Sequence, residues 1–390
     1  MARAPDIVKC NAPMIPCQRH LFDIPREVAY LNCAYISPIP SATRAAGQAG
    51  MARKSRPWEL TPLDFFTEAE ATRNLFAGLI GATAEDIAVV PSVSYGIGIA
   101  AANVAFRKGQ TVITLAEQFP SNVYPWRRLA ADREGSVVTI PPPHDGDWAA
   151  AVMSAIDAET AVVAVPNCLW TDGGLIDLER VSDACRESGA ALVIDATQSL
   201  GALPLDIGRV RPDFLVSACY KWLLGPYSLG FIYISPDYHD GRPLEQTWIG
   251  RENSEDFAGL VNYRDTFQPG ARRFDVGERS NFALMPAAKA SLDLIADWGI
   301  DQIAATLGGL TRGIAARAQS LGLISRPDDQ RAGHFLGIRF PNGMPEGLVG
   351  RLSAAGVHVS VRGTSMRVTP HLYNDAEDVD RLFEVLESTL

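Results

Sequence analysis

The chain has 390 residues, of which 47% are hydrophobic and 21% charged, and a net charge of −10. This length provides for two domains, or for one large domain with a smaller appendage, and for a sizeable core. The negative charge argues against a basic nucleic-acid face. Six cysteines without a C-x-x-C pair, beside six scattered histidines, argue against a metal centre.

Residues 1–23, MARAPDIVKCNAPMIPCQRHLFD, hold no continuous apolar run that would serve as a signal-peptide core. A cytoplasmic protein with free thiols is therefore expected. Ser94 and Tyr95, in SVSYGIGIAAANVAF, precede an apolar, Gly/Ala-rich helix whose N-terminus offers N–H groups to a phosphate. The runs TVITLA (111–116), AVVAVP (161–166), ALVIDA (191–196) and FLVSAC (214–219) each predict a strand buried on both faces. DWAAAVMSAID and LERVSDACRESG lie between them with helical spacing, and PPPHDGD (141–147) is turn-rich. Such alternation predicts a parallel sheet covered by helices, with ligands bound beyond the carboxyl ends of the strands.

The apolar stretch from Phe214 to Pro236 is long enough to raise a membrane span, but Lys221, Gly225-Pro226 and Gly230 divide it into strand, loop and strand. No membrane association is expected. After Leu260 the pattern becomes polar and irregular, and the helical stretch 285–299 follows. Strand candidates FLGIRF (335–340) and VHVSV (357–361), the segment SMRVTPHLYN (365–374) and a terminal helix from Ala376 suggest a smaller α/β domain. The expected division is a large domain over 45–280 and a small one formed by 1–44 with 281–390.

Among 35 basic residues only Lys9, Lys54, Lys108, Lys221 and Lys289 are lysines, and Lys221 is the only charge between Phe214 and Pro236. An ammonium buried there is costly unless it is neutral, paired or covalently used. A desolvated lysine has a lowered pKa and reacts with carbonyls, although a lysine at a strand end also snorkels to water. Asp195 closes the strand ALVID and asks for a cation. Asn167 closes AVVAVPN, and Phe119 follows TVITLA in EQFPSN. Singly, Ser94 reads as an N-cap, Phe119 as core and Asp195 as the partner of a structural arginine. Together, a carbonyl-trapping lysine, a carboxylate, a phosphate cradle and an aromatic plate suit pyridoxal 5'-phosphate.

From YLNCAYISPIP (30–40) to LYNDAEDVDRL (372–382) the chain resembles the class V aminotransferase family of fold-type I PLP-dependent enzymes. That family also holds cysteine desulfurases, kynureninases and isopenicillin N epimerase-like proteins. VIDATQSLGALPLDI resembles the family's Asp-x-x-Gln segment, SACYKWLLGP its lysine loop, and EQFPSN its aromatic-plate segment in the kynureninase-like form. The resemblance implies that Lys221 holds the cofactor and moves protons at Cα, and that Asp195 keeps the ring nitrogen protonated. It implies that Phe119 stacks on the ring and that Gln198, with Asn167, bonds the phenolic oxygen. Ser94, Tyr95 with the neighbouring N–H groups, and Tyr220 would hold the phosphate. Arg367, in MRVTPHLYN, would clamp the substrate α-carboxylate. It also implies a homodimer, with Arg273, Glu278 and Arg279 of RRFDVGERSNF near the partner's site. The family's Gly-Thr reads Gly277-Glu278 here.

The implied reaction acts at Cα of an α-amino acid through an external aldimine, with aminotransfer as the first expectation and β-elimination or epimerisation as alternatives. A persulfide-forming desulfurase is disfavoured, because no cysteine lies beyond Cys219. Cys33, Tyr35, Trp170, Asp172 and His358 are further candidates near the substrate; for Cys33 a buried core role is the simpler reading. A rival class rests on Gly96, Gly98 and Ala101 with Glu117, the outline of a dinucleotide fingerprint. Pro91 interrupts its strand, and it leaves Lys221 without a purpose. A noncatalytic chain with this fold is a third class, opposed by the presence of both Lys221 and Asp195.

Overall fold

The computed structural model describes residues 14–390, so the reading of residues 1–13, with Lys9 and Cys10, lies outside the described residues. Seven strands form the main sheet: β1 (Ile87–Val90), β2 (Thr111–Leu115), β3 (Ser136–Ile140), β4 (Thr160–Pro166), β5 (Ala191–Asp195), β6 (Phe214–Ala218) and β7 (Gly230–Ile234). Their order is β1-β7-β6-β5-β4-β2-β3. Only β7 runs against its neighbours, and the others point the same way. The four apolar runs expected as strands are β2, β4, β5 and β6, and the Phe214–Pro236 stretch is strand, loop and strand. Among the described residues no helix is long and apolar enough to cross a membrane.

The inner strands of the sheet are buried on both faces and are largely apolar rather than alternating, whereas the edge strand β3 is partly exposed. Val163, Val165, Leu192, Ile194 and Leu215 face one core cluster, which also holds Phe76, Trp148 and Trp222. Val162, Ala164, Val193, Phe214 and Val216 face the other, beneath Ile97 and Phe274. In register, Pro166 lies beside Asp195 and Asp195 beside Val216. One row across the sheet thus brings the strand ends level, with Lys221 a short loop beyond.

The helix Val93–Asn103 lies on the second face, where a Cβ on Gly96 would meet Val216 Cγ2 at 2.7 Å. Gly96 and Gly98 are therefore helical packing positions rather than the tight turn of a dinucleotide site, and that reading falls. Leu178–Ser188 and Leu284–Trp298 are helices as expected, whereas the 147–157 stretch is helical only over Trp148–Met153.

Four antiparallel strands make a second sheet: β8 (Ile324–Ser325), β9 (Leu336–Arg339), β10 (Ser360–Arg362) and β11 (Ser365–Val368), in the order β10-β11-β9-β8. It packs with helices Ile300–Ser320 and Ala376–Glu387 around Ile314, Met366, Val368, Leu382 and Phe383. The 21-residue helix Ile300–Ser320 was not expected from sequence. Gly308, Gly309 and Gly313 lower its helix propensity, but Ile303, Leu307, Thr311, Ile314 and Ala318 bury one face at helical spacing. The N-terminal segment joins this part of the chain through parallel pairing of Ala29–Tyr30 with Val357–His358.

The 262–282 segment carries a buried charge cluster. Arg73 and Asp275 pair at 2.8 Å with both side chains fully buried, and Arg279 joins Asp275 at 2.6 Å. Asp275 also accepts the Val89 N–H at 2.7 Å, which ties the segment to β1. Arg279 is thus a core residue rather than a group free to reach a partner subunit, and Arg273 pairs with Asp240. Asp275→Ala leaves buried Arg279 without a carboxylate and Arg73 with Glu70 alone, and is expected to cost about 3–5 kcal/mol of stability. Calorimetry of the variant, showing a lowered melting temperature with unchanged oligomeric state, checks this.

Candidate active site

The carboxyl ends of β1, β6, β5, β4 and β2, together with the start of β7, enclose a cavity of about 280 Å³. Lys221, Asp195, Gln198, Phe119, Ser94 and Tyr220 all line it. The sheet rule for ligand placement therefore holds here. Six of the eight expected cofactor residues, spread over more than a hundred positions, thus line one cavity.

Lys221 and Asp195 are 6% and 7% exposed, and neither forms an ion pair among the described residues. Burial pulls Lys221 down from 10.5 to about 8; Asp195 opposes the fall and Arg367 adds to it. Burial raises Asp195 above its ordinary value, against hydrogen bonds from Thr197 and the Lys221 charge. The Asp195 carboxylate accepts the Thr197 N–H at 3.0 Å, and Thr197 Oγ1 accepts the Ala218 N–H at 3.2 Å. Thr197 thus fixes the acid and bridges the ends of β5 and β6. The sequence reading passed it over, although Asp-x-Thr is a common local turn pattern.

The ring of Phe119 lies 5.4 Å from Lys221 Nζ and meets Trp170 edge-on at 5.3 Å. Trp170 is held by its indole N–H, which donates to the Glu117 carbonyl at 2.6 Å. At the helix Val93–Asn103, Ser92 is the N-cap and its Oγ accepts the Tyr95 N–H at 3.2 Å. The Val93 and Ser94 N–H groups precede the first helical bond, both residues line the cavity, and the Ser94 hydroxyl shares a hydrogen bond with Ser92 Oγ at 3.0 Å. Gln198 Oε1 accepts from Trp222 Nε1 at 3.0 Å, and Gln198 Nε2 donates to Ala34 O at 3.1 Å. One Gln198 N–H is left for the cavity.

Two expected cofactor residues fall elsewhere. Tyr95 packs its ring against the core of its helix, and its buried Oη has no hydrogen-bond partner. Asn167 is buried between Pro166 and Cys168, which form the wall in its place. In both cases strand or helix periodicity turns the side chain away from the neighbour that faces the cavity. Cys33 is fully buried with its thiol pushed up by burial, and Sγ lies 3.9 Å from the Lys221 carbonyl. Asp172 is a turn residue that pairs with Arg326 at 2.7 Å. The His358 ring lies tilted beside Tyr30 at 6.2 Å, and Tyr35 is exposed. Glu278 is exposed.

Arg367, on β11, is buried and has no carboxylate partner among the described residues. Its Nη1 donates to the Trp170 carbonyl at 2.9 Å, and Nε and Nη2 both donate to Ser360 Oγ. Burial, then the nearby Arg362, lower it to about 10. Such a guanidinium, next to the cavity and with fork N–H groups to spare, is a receptor for an anion. No group of three or more His, Cys, Asp or Glu side chains fit to hold a metal occurs among the described residues.

Fold and cavity together define a fold-type I pyridoxal-phosphate enzyme. Residues 62–382 match the aminotransferase class-V family, and the chain belongs to that family. An uncharacterized aminotransferase, YcbU of Bacillus subtilis, is 28% identical over 80% of this chain and 81% of its own length. A probable cysteine desulfurase of Methanothermobacter thermautotrophicus is 26% identical over 94% of this chain and 96% of its own. The solved structure of a C-DES mutant with glycine covalently linked to its PLP cofactor superposes with a TM-score of 0.85, at 18% identity, covering 95% of this chain and 99% of that one. The family's cofactor is pyridoxal 5'-phosphate, and the cavity fits it. A buried carboxylate without a cation suits a ring N–H, a buried amine suits the aldehyde, and unpaired helix N–H groups suit the phosphate.

Behind the wall, His334 Nε2 lies 2.6 Å from the Gln198 carbonyl, and its ring meets Trp222 at 4.3 Å. His371 stacks on Tyr373, and neither of its ring nitrogens has a partner. Burial lowers His334 from 6.5 to about 4 and His371 to about 3. Between those values and 6.5 the unfolded chain binds protons that the folded chain refuses, so stability falls as pH drops below 6.5. Thermal scans from pH 7 to pH 5 are expected to show a falling melting temperature, and a shallower fall in His371→Phe.

Proposed function

We propose that this chain is a PLP-dependent aminotransferase acting on an α-amino acid. The observation that carries the proposal is the pair Lys221 and Asp195, buried on one cavity wall without an ion pair between them, beside the unpaired guanidinium of Arg367. Bound there, pyridoxal phosphate supplies an aldehyde to capture an amine and a ring that draws electrons from Cα. Lys221, at about 8, keeps a share of free amine near neutrality, which fits it to hold the aldehyde and to move a proton at Cα. Asp195 holds the proton on the ring nitrogen, and Phe119 covers one ring face. Gln198 donates its free N–H to the phenolic oxygen. Ser94, the Val93 and Ser94 N–H groups, and Tyr220 take the phosphate. Arg367 takes the substrate α-carboxylate.

Among the lining residues Lys221 is the only amine, and no histidine accompanies it. One amine that both removes and returns the proton suits transamination, whereas epimerisation needs a second donor on the opposite face. Persulfide chemistry needs a mobile cysteine at the substrate. β10 and β11 are joined by Gly363 and Thr364 alone, which leaves no loop to carry one. β-Elimination remains the second reading; C-DES, whose fold this chain shares, is a cystine C–S lyase.

We also propose a cytoplasmic homodimer with a cofactor-binding domain over 45–280 and a smaller domain of 1–44 with 281–390. Four of the five described cysteines are buried free thiols, which suits a reducing compartment. Trp58, Leu63, Val261 and Tyr263 are 78%, 63%, 77% and 96% exposed, on segments that flank an edge-on cluster of Phe65, Trp248 and Phe257. An apolar surface of that kind suits a partner subunit.

Capture of pyridoxal phosphate by the apoprotein is expected to give a yellow band, at a rate that rises with pH and levels off above about 8. Lys221→Ala should fold yet show no borohydride-fixable cofactor; a fixed cofactor in that variant contradicts the assignment. Adding amino acids should bleach the band with release of a keto acid. Release of pyruvate with a leaving group, the band persisting, assigns a lyase instead. Arg367→Ala should raise KM for amino acids about ten- to a hundred-fold, the size of a lost charge-assisted pair, with little change in cofactor affinity.

A further inference from the structure

The roles given above leave one strong charge at the site without a task. Arg362 ends β10, is half-buried, and forms no ion pair among the described residues. Its one hydrogen bond goes from Nη1 to the Val361 carbonyl at 2.7 Å. In the β10–β11 register Ser360 faces Arg367 and Arg362 faces Ser365. Positions 360, 362, 365 and 367 therefore project from one face, and the two arginines are diagonal neighbours, roughly 7–8 Å apart at Cα. A single tryptophan receives both. The Trp170 carbonyl accepts from Arg367 at 2.9 Å, and Arg362 Cζ lies 5.6 Å from the centre of the Trp170 ring. Trp170 itself lines the cavity of Lys221.

Two like charges on one ribbon face, in a chain whose net charge is −10, repel each other unless anions come between them. Arg362 lowers the proton affinity of both Arg367 and Lys221, so its charge is felt across the cavity. The donor count on Arg367 decides how many anions are needed. A guanidinium has five N–H groups. Three of those on Arg367 go to Ser360 and Trp170, leaving one on each terminal nitrogen. That remaining pair matches the two oxygens of one carboxylate. The α-carboxylate therefore fills Arg367 without help. The phosphate end of the cavity lies at the helix Val93–Asn103, on the other sheet.

Resting on the cofactor reading above, we propose that Arg362 is a specificity-determining residue that binds a second carboxylate on the substrate side chain. The substrate class is then an acidic α-amino acid, held at its two ends by Arg367 and Arg362, with Trp170 beneath both.

The test uses the PLP-loaded protein and two inert ligands of equal chain length, succinate and butyrate, titrated by calorimetry. Wild-type protein is expected to bind succinate more tightly than butyrate. Arg362→Gln should weaken succinate about ten-fold or more and butyrate by less than about two-fold, as loss of one charge-assisted pair implies. Arg362→Lys, which keeps the charge without the fork, should fall between. Arg367→Gln should weaken both ligands. Equal binding of the two ligands by wild-type protein overturns the inference. So does equal weakening of both by Arg362→Gln, which would make Arg362 part of the α-carboxylate clamp. The yellow band separates this failure from that of the cofactor reading. With the band present and no dicarboxylate preference, only the acidic-substrate inference fails. With no band in wild-type protein, both fall.

Discussion

The arrangement of the site depends on keeping a buried ammonium and a buried carboxylate from collapsing onto each other. In a low-dielectric cavity, Lys221 and Asp195 would form an ion pair if either side chain could swing freely, and the pair would consume both reactive groups. Backbone bonds on both sides prevent this. Asp195 is drawn back by the Thr197 N–H, and Thr197 is itself anchored to the end of β6. The lysine loop is wound by Leu224 N–H to the Lys221 carbonyl and Gly225 N–H to the Cys219 carbonyl. Leu224 takes a left-handed φ of 54° although it is not glycine, a backbone cost of the kind found where a loop is held for function. Trp222 then locks the loop to Gln198 through its indole N–H. Burial lowers Lys221 to about 8, and the Asp195 charge offsets only part of that fall.

How much of this was legible in the sequence follows from range. The apolar runs of β2, β4, β5 and β6 show the parallel sheet because burial on both faces leaves few polar residues inside them, with Thr114 and Ser217 the buried exceptions. The end of each run then marks the site, since strand direction alone sends those ends to one edge. Side-chain direction was harder to read. Asn167 and Tyr95 stand one residue from true wall positions, and a single step along a strand or helix turns a side chain out of the cavity. Arg279 read as a loop charge near a partner's site, because its partner Asp275 is near in sequence but the burial of both is set with Arg73, about two hundred residues away. The helix Ile300–Ser320 stayed hidden behind its glycines. Arg362 looked like any other arginine until strand pairing placed it on the same face as Arg367.

The two ends of the site come from different sheets, and a strip of the N-terminal segment makes them one unit. The main sheet supplies Lys221 and Asp195, and the second sheet supplies Arg367. Residues 31–37 run between them. Cys33 N–H donates to the Thr369 carbonyl at 2.9 Å, two residues beyond Arg367, and Thr369 N–H donates to the Leu31 carbonyl. Asn32 accepts the hydroxyl of Ser360, the same serine that holds Arg367. In the other direction, the Ala34 carbonyl accepts from Gln198 Nε2 and Ser37 N–H donates to the Tyr220 carbonyl. A displacement of β11 is therefore felt at the lysine loop through backbone bonds rather than through loose side chains.

That linkage gives Cys33 a physical reason to be cysteine. It lies with no exposed surface between the Lys221 carbonyl and Tyr373, where a small, weakly polar side chain fills space without demanding a strong hydrogen bond. A serine there would bring a stronger donor against groups already engaged, and a larger residue would push the strip from the loop. Its thiol, raised by burial, stays protonated and inert. The site thus confines its reactivity to one amine. The buried cysteine nearest that amine acts as packing, and the strand-to-strand turn beside Arg367 carries none. Under the function proposed above, proton movement at Cα would fall to Lys221, the one amine that lines the cavity.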